Sequence, residues 1–284
     1  MTATARVVRL SPLHGLLDNR VAGALRERVH RAGPLADARL LVENMELVVP
    51  GRFRAHQGGG FEPLSLAWLR GHVQSGGHVV DVGAHVGVVS AVLARQVGPE
   101  GSVLAIEPDA ENLVYLERNM AAHGFTNVRT LQVAAAGKDG VRSFRITTAD
   151  DSHGFYEHPL AATVRTVKVE ARSLAAIVAP ISNLALVKID VEGAEVEVLR
   201  AGLDALAKTG RRPSLLVECN PACLERASET VGNLVRLLRD HGYVLTVLDD
   251  YLHRICTAER ILADVRQGSL PANWYANVAA VMPQ

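Results

Sequence analysis

Three short runs in this 284-residue chain carry side chains able to do chemistry, and each joins an apolar stretch to an acid. The first is Val79-Val80-Asp81-Val82-Gly83-Ala84-His85-Val86-Gly87. Its two glycines bracket a sharp turn, where missing Cβ atoms let backbone approach a ligand and free N–H groups face a pocket. The second, Ile106-Glu107-Pro108, ends in a carboxylate where doubly wound folds accept hydrogen bonds from ribose hydroxyls. The third is Lys188-Ile189-Asp190-Val191-Glu192-Gly193-Ala194-Glu195. Here Asp190 falls at the carboxyl end of a strand and could take a proton from a reacting group. The turn at Gly193 is expected to aim Glu192 and Glu195 away from it. Asp190, Glu218 and Asn220 are oxygen donors at the ends of neighbouring strands, a set suited to Mg2+, which could lower the pKa of a substrate hydroxyl. His153 and His158, in the polar and aromatic segment 150–159, are candidate bases or substrate contacts, and that segment has the composition of a lid.

The elements that must position these residues follow from the apolar pattern. Val79 to Val82 reads as a buried parallel strand, and Val88 to Val97 as the helix behind the turn. Ser102 to Ile106 is a second strand stopped by Pro108, and Asp109 can cap a helix running to His123. Val128 to Val133 is a third strand, followed by Ala134-Ala135-Ala136-Gly137, whose lack of bulk suits close approach of a flat ring. Ser143–Thr148 and Val164–Val169 read as strands on either side of the candidate lid. Strand Leu184–Ile189, a helix after Gly193, strand Ser214–Val217, a helix over Ser228–His241, strand Tyr243–Leu248 and a final extended run, Tyr275–Met282, complete the alternation. The fold class is α/β, with a doubly wound seven-stranded sheet as its centre. Residues 1–60 read as an N-terminal cap, with a helix starting at Ser11 or Asp18 and two extended segments, and residues 61–284 as the main domain. The cap could enclose substrate or make a homodimer.

Composition excludes several classes. Lysine plus arginine equals aspartate plus glutamate, 30 each, so no basic field draws the chain to nucleic acid. Its three cysteines, Cys219, Cys223 and Cys256, are odd in number and lack zinc-type spacing. No segment approaches ~20 uninterrupted apolar residues, and Met1 to Leu10 lacks the apolar core of a signal peptide. A cytoplasmic protein acting on a small molecule is the expectation, with neither nucleic acid nor membrane as a partner.

The three runs together resemble the FkbM family of S-adenosylmethionine (SAM)-dependent methyltransferases, from about Glu62 onward. The family usually has asparagine where His85 stands. The resemblance implies the class I methyltransferase fold, Rossmann-like, with SAM held by Asp81, Gly83, Ala84, His85, Gly87, Glu107, Pro108, Ala134 and Asp190. It also implies methyl transfer, commonly to a hydroxyl of a natural product or sugar, with Asp190, His153 and His158 as catalytic candidates. N-methylation of an amine or peptide is the nearest alternative, and a non-catalytic SAM-binding scaffold is a different class. A nicotinamide dehydrogenase would share the strand, turn and ribose acid, but D-x-G-x-x-x-G is not the G-x-G-x-x-G spacing of those turns.

Overall fold

The computed structural model describes residues 37–51, 53, 61–149 and 152–283. The helix expected from Ser11 or Asp18 and the glycine joint at 58–60 lie outside the described residues. The strands are β1 (Ala38–Val42), β2 (Met45–Val49), β3 (His78–Val82), β4 (Ser102–Ile106), β5 (Val128–Leu131), β6 (Ala134–Ala136), β7 (Gly140–Thr147), β8 (Thr163–Ser173), β9 (Leu184–Ile189), β10 (Ser214–Cys219), β11 (Val244–Asp249), β12 (Arg254–Cys256) and β13 (Ala276–Val281). The helices are α1 (Pro63–His72), α2 (Val88–Val97), α3 (Ala110–Ala122), α4 (Leu174–Val178), α5 (Glu195–Lys208), α6 (Pro221–Arg226), α7 (Val231–Asp240) and α8 (Ala258–Gln267).

The central sheet has the order β12-β11-β13-β10-β9-β3-β4-β5. Strands β5, β4, β3, β9 and β10 run parallel, and β13 enters antiparallel between β10 and β11. Seven of these strands make the expected doubly wound arrangement. The expected count is corrected to eight, because β11 turns back through a three-residue edge strand, β12, too short to leave a periodic signal. The chain leaves β3 in one direction through β4 and β5, then returns to β9 on its other side. That reversal opens a crevice at the carboxyl ends of β3 and β9, the usual ligand position in open α/β sheets.

Both sheet faces are covered, which is why β9 reads Leu-Ala-Leu-Val-Lys-Ile with hardly a polar break. Val80, Val82, Val187 and Ile189 pack on one face against α5 and α7, with Leu199, Leu203, Leu234 and Leu238. Val79, Leu186 and Leu216 pack on the other against α1 and α2, with Leu66, Leu69, Val92 and Leu93. Helix α2 is sandwiched so completely that Val88 to Ala94 and Val97 are all buried. Each fully buried aliphatic side chain contributes about 1.5–3 kcal/mol. The β1–β2 hairpin, read as part of the cap, packs into this second core through Val42, Met45, Leu47 and Val49. Asn119 on α3 fastens it, accepting from Val48 N at 2.8 Å and donating to Val48 O at 3.0 Å. A separate three-stranded sheet, β6-β8-β7, stands beside α5 and carries the segment expected as a lid.

Candidate active site

A cavity of 1020 Å³ opens at the crevice between β3 and β9. It is larger than a single small-ligand pocket needs, about 300–1,000 Å³. Its walls bring together Gly83, Ala84, His85, Glu107, Pro108, Ala134 and Asp190 from the expected cofactor set, with His153, His158, Glu218 and Asn220.

The glycine turn is built differently from the expectation of free N–H donors. Gly83 N and Ala84 N both donate to Ile106 O, at 3.0 and 2.9 Å, and Gly87 N donates to Ala84 O at 2.8 Å. His85, with φ of 50°, donates its backbone N–H to Glu107 Oε2 at 2.9 Å. These groups tie the turn to β4 and do not form an anion nest. A ligand without phosphates makes no demand for one. The imidazole of His85 stacks on Phe53 at a centroid distance of 5.5 Å.

Two residues of the expected cofactor set do not line the cavity. Asp81 is 0 % exposed behind the turn, where its carboxylate accepts from Ser90 Oγ at 2.6 Å and faces Lys188 Nζ at 3.6 Å. Asp81 and Lys188 are direct partners across β3 and β9, so alternation puts both on the α2 face. Gly87 starts α2 with φ of 88°, and a Cβ there would meet Leu116 Cγ at 2.9 Å. Its small size serves packing against α3.

Glu107 is a buried acid whose oxygens accept from His85 N and, at 2.8 Å, from Asp109 N. Burial pushes its carboxyl up to about 7, against the hydrogen bonds that favour the charge. Asn112, in the first turn of α3, also lines the cavity, and its buried Oδ1 has no hydrogen-bond partner within the protein. Neither periodicity nor motif spacing marked that residue.

The opposite end of the cavity is rich in carboxylates. Asp190 Oδ2 accepts from Lys188 Nζ at 3.0 Å, and Gly83 O accepts from the same ammonium at 3.2 Å. Burial alone would lower Lys188, but Asp190 and Asp81 override it and hold the ammonium above its ordinary value. Glu192 corrects an expectation: its left-handed backbone, φ 52°, turns the side chain into the cavity, where ligand oxygens of Asp190, Glu192 and Glu218 lie within 4.8 Å of one another. Glu195 does turn away. It is buried, accepts from Val191 N and Gly193 N at 3.0 and 3.1 Å, and is raised to about 7 by burial. Glu62, at the start of α1, joins from the far side, accepts from Asn277 Nδ2 at 3.1 Å, and is raised to about 7 by burial and by Asp190. Nothing local in the sequence marked Glu62.

The expected Mg2+ set does not fit. Asn220 Oδ1 caps α6, accepting from Ala222 N at 3.2 Å and Cys223 N at 3.3 Å. Asp190 Oδ2 is already engaged by the Lys188 ammonium. His153 Nδ1 accepts from Thr147 N at 3.2 Å and His158 Nδ1 from Leu160 N at 3.2 Å. Each neutral ring therefore carries its proton on Nε2 and presents a donor. Of the segment expected as a lid, Ser152, His153, Gly154 and Phe155 are buried, and Gly154 pairs with Arg145 in both directions.

A glycine turn on β3, a buried acid after β4 and an acid after β9, arrayed around the reversal of a sheet whose last strand runs antiparallel, have the layout of the class I methyltransferase fold. The chain belongs to the FkbM methyltransferase family: the profile of the methyltransferase FkbM domain matches residues 81–245. Methyltransferase 1 of Beauveria bassiana (strain ARSEF 2860) is 29% identical over 146 residues, 44% of this chain. The match spans 58% of that relative's own length. Among solved structures, a SAM-dependent methyltransferase from Aquifex aeolicus is 14% identical, with a TM-score of 0.43 over 78% of this chain and 90% of that one. A methyltransferase from Geobacter sulfurreducens is 16% identical, with a TM-score of 0.42 over 95% of this chain and 93% of its own. No helix among the described residues is long and apolar enough to cross a membrane.

Proposed function

We propose that the chain transfers the methyl group of SAM to a hydroxyl of a small molecule, with Asp190 as the proton acceptor. The observation that carries this reading is the continuity of one cavity from Glu107, Pro108 and Ala134 at one end to Glu192 and Glu218 at the other, with Asp190 between. The adenosine part of SAM fits the first end. Ala134 and Ala135 give a wall without bulk, Glu107 offers carboxylate oxygens to ribose hydroxyls, and Asn112 offers an amide oxygen to an adenine amino group.

SAM supplies an electrophilic methyl and its own leaving group. The acceptor oxygen must approach in line with the S–CH₃ bond at roughly 3–3.5 Å, while its proton passes to a base. A well-placed base contributes about 10²–10⁴-fold. The contact with Lys188 fixes the rotamer of Asp190 and keeps its charge compensated until the proton arrives. His153 and His158 line the same cavity and serve as contacts that orient the acceptor.

A screen of candidate hydroxyl compounds with labelled SAM tests the activity, and Asp190→Asn tests the role. The variant should bind S-adenosylhomocysteine as wild type does and lose most single-turnover rate, with no response to chelators. Wild-type turnover in a folded Asp190→Asn protein would refute the assignment. Transfer to amines in that screen, with none to hydroxyls, would favour N-methylation instead.

A further inference from the structure

We propose that the acceptor carries, besides the atom methylated, a protonated amine that docks on Glu218 between Asp190 and Glu192. This deepens the methyl-transfer reading and rests on it for the word acceptor, but the cationic subsite is testable without turnover. Four acids, Glu62, Asp190, Glu192 and Glu218, line this end of the cavity beside one ammonium, Lys188, and burial together with the neighbouring acids holds the Glu218 carboxyl well above its ordinary range, a strain that a docked cation would relieve. Lys188 is already shared between Asp190 and Asp81. Glu218 is only 9 % exposed, and its Oε2 is buried with no hydrogen-bond partner within the protein. Such an oxygen is destabilising unless a ligand satisfies it. The ligand oxygens of Asp190, Glu192 and Glu218 lie within 4.8 Å of one another. Three oxygens around one tetrahedral nitrogen, each at a hydrogen-bond length of ~2.8–2.9 Å, stand roughly 4.6 Å apart.

A metal ion is the rival occupant, and the neighbouring ligands are unsuited to it. His158 presents a protonated Nε2 toward Glu192 Oε2 at 3.8 Å, because its Nδ1 accepts from Leu160 N. Cys223 Sγ donates to the same oxygen at 3.3 Å, and Asn220 is engaged as a helix cap. Glu192 is thus held by the Cys223 thiol and faced by the His158 ring. The docked ammonium has no lone pair and is a handle, not the methylated atom. The acceptor class is an amine-bearing alcohol.

The test is calorimetry on the full chain saturated with S-adenosylhomocysteine, using cyclohexylammonium and its neutral counterpart cyclohexanol as probes. Wild type should bind cyclohexylammonium at least tenfold more tightly. Glu218→Gln should erase that preference while leaving S-adenosylhomocysteine affinity within twofold, and Glu192→Gln should reduce it if the first variant fails to fold. Equal binding of the two probes, or a preference unchanged by both substitutions, would overturn the proposal. A tenfold loss of S-adenosylhomocysteine affinity in Glu218→Gln would assign the carboxylate to the cofactor's own ammonium and also overturn it. Mn2+ binding that depends on Glu218 and displaces cyclohexylammonium would assign the site to a metal. Failure of wild type to bind S-adenosylhomocysteine would strike the methyl-transfer reading, while the probe preference still reports on the subsite.

Discussion

The carbonyl oxygen of Asp190 occupies the place a Cβ on Gly83 would need: such a carbon would lie 1.7 Å from it. The ends of β3 and β9 touch backbone to backbone, so the glycine that opens the turn also permits the acid to stand beside it. At φ of 77°, Gly83 further requires a conformation that other residues rarely adopt. Gly83→Ala is therefore expected to lose the fold, by more than about 3 kcal/mol, before any change in ligand affinity can be read. Urea unfolding followed by circular dichroism checks this, and a variant with wild-type midpoint would contradict the packing described.

Removal of the Lys188 ammonium should expose the cost of the buried Asp81 charge. Lys188→Met leaves that carboxylate with only the Ser90 hydroxyl, and breaking such a pair costs about 3–5 kcal/mol. Asp81→Asn in the same chain should restore much of the loss. A double-mutant cycle in denaturant measures the coupling, and strict additivity would show that the two groups do not sense each other.

Cofactor binding should release a proton and strengthen with pH. Burial holds Glu107 at about 7 in the free protein, so near pH 6 it is mostly neutral. Ribose hydroxyls donating to it favour the ionised form and lower that value, so affinity should rise between pH 6 and 8. The ligand-free fold behaves oppositely. A carboxyl raised from 4.5 to about 7 keeps its proton longer in the folded state, so stability falls as pH climbs through that interval. Calorimetry of S-adenosylhomocysteine binding in buffers of different ionisation enthalpy counts the proton. Glu107→Gln should abolish its release, and an unchanged count would remove Glu107 from the linkage.

The wall formed by residues 152–159 depends on Glu197. This α5 carboxylate accepts from Gly137 N at 2.9 Å, Arg142 Nη1 at 2.6 Å and Tyr156 Oη at 3.0 Å. Arg142 in turn lies over the Phe155 ring, 3.7 Å from its centroid. Glu197→Ala should cost about 1–3 kcal/mol. It should also raise KM for the acceptor several-fold with S-adenosylhomocysteine affinity little changed. Faster amide exchange over residues 152–159 is the accompanying sign, and unaltered exchange there would show that the clasp holds nothing.

Runs that must be buried on both faces were legible in the sequence, because they leave an unbroken apolar signature ended by a polar residue. Val79–Val82 and Leu184–Ile189 announce strands in this way, and Gly83 and Gly193 announce the turns that follow. What escaped depends on partners distant in the chain. Glu62 meets Asn277 only after the sheet has closed, and nothing near position 62 encodes that meeting. Asn220 was misread although its context was local: asparagine before proline is a helix start, and the cap uses the oxygen a metal would need. His153 and His158 looked chemically open because sequence does not show which ring nitrogen accepts a backbone N–H. Strand β12 went unread because it has only three residues.

The antiparallel entry of β13 sets the order in which the sheet can be completed as the chain is synthesised. Strand β11 is made first, yet it reaches β10 only through β13, whose residues 276–281 emerge some thirty positions later. Until then the nascent protein has two unpaired edges facing each other across an empty lane. The α1 start, held by Asp250 through Leu64 N, Ser65 N and Ser65 Oγ, must likewise wait for the second half of the chain. A ribosome paused before residue 276 therefore holds an unfinished sheet open to any stray strand, and a chaperone that shields the exposed side of β10 would protect it during that interval.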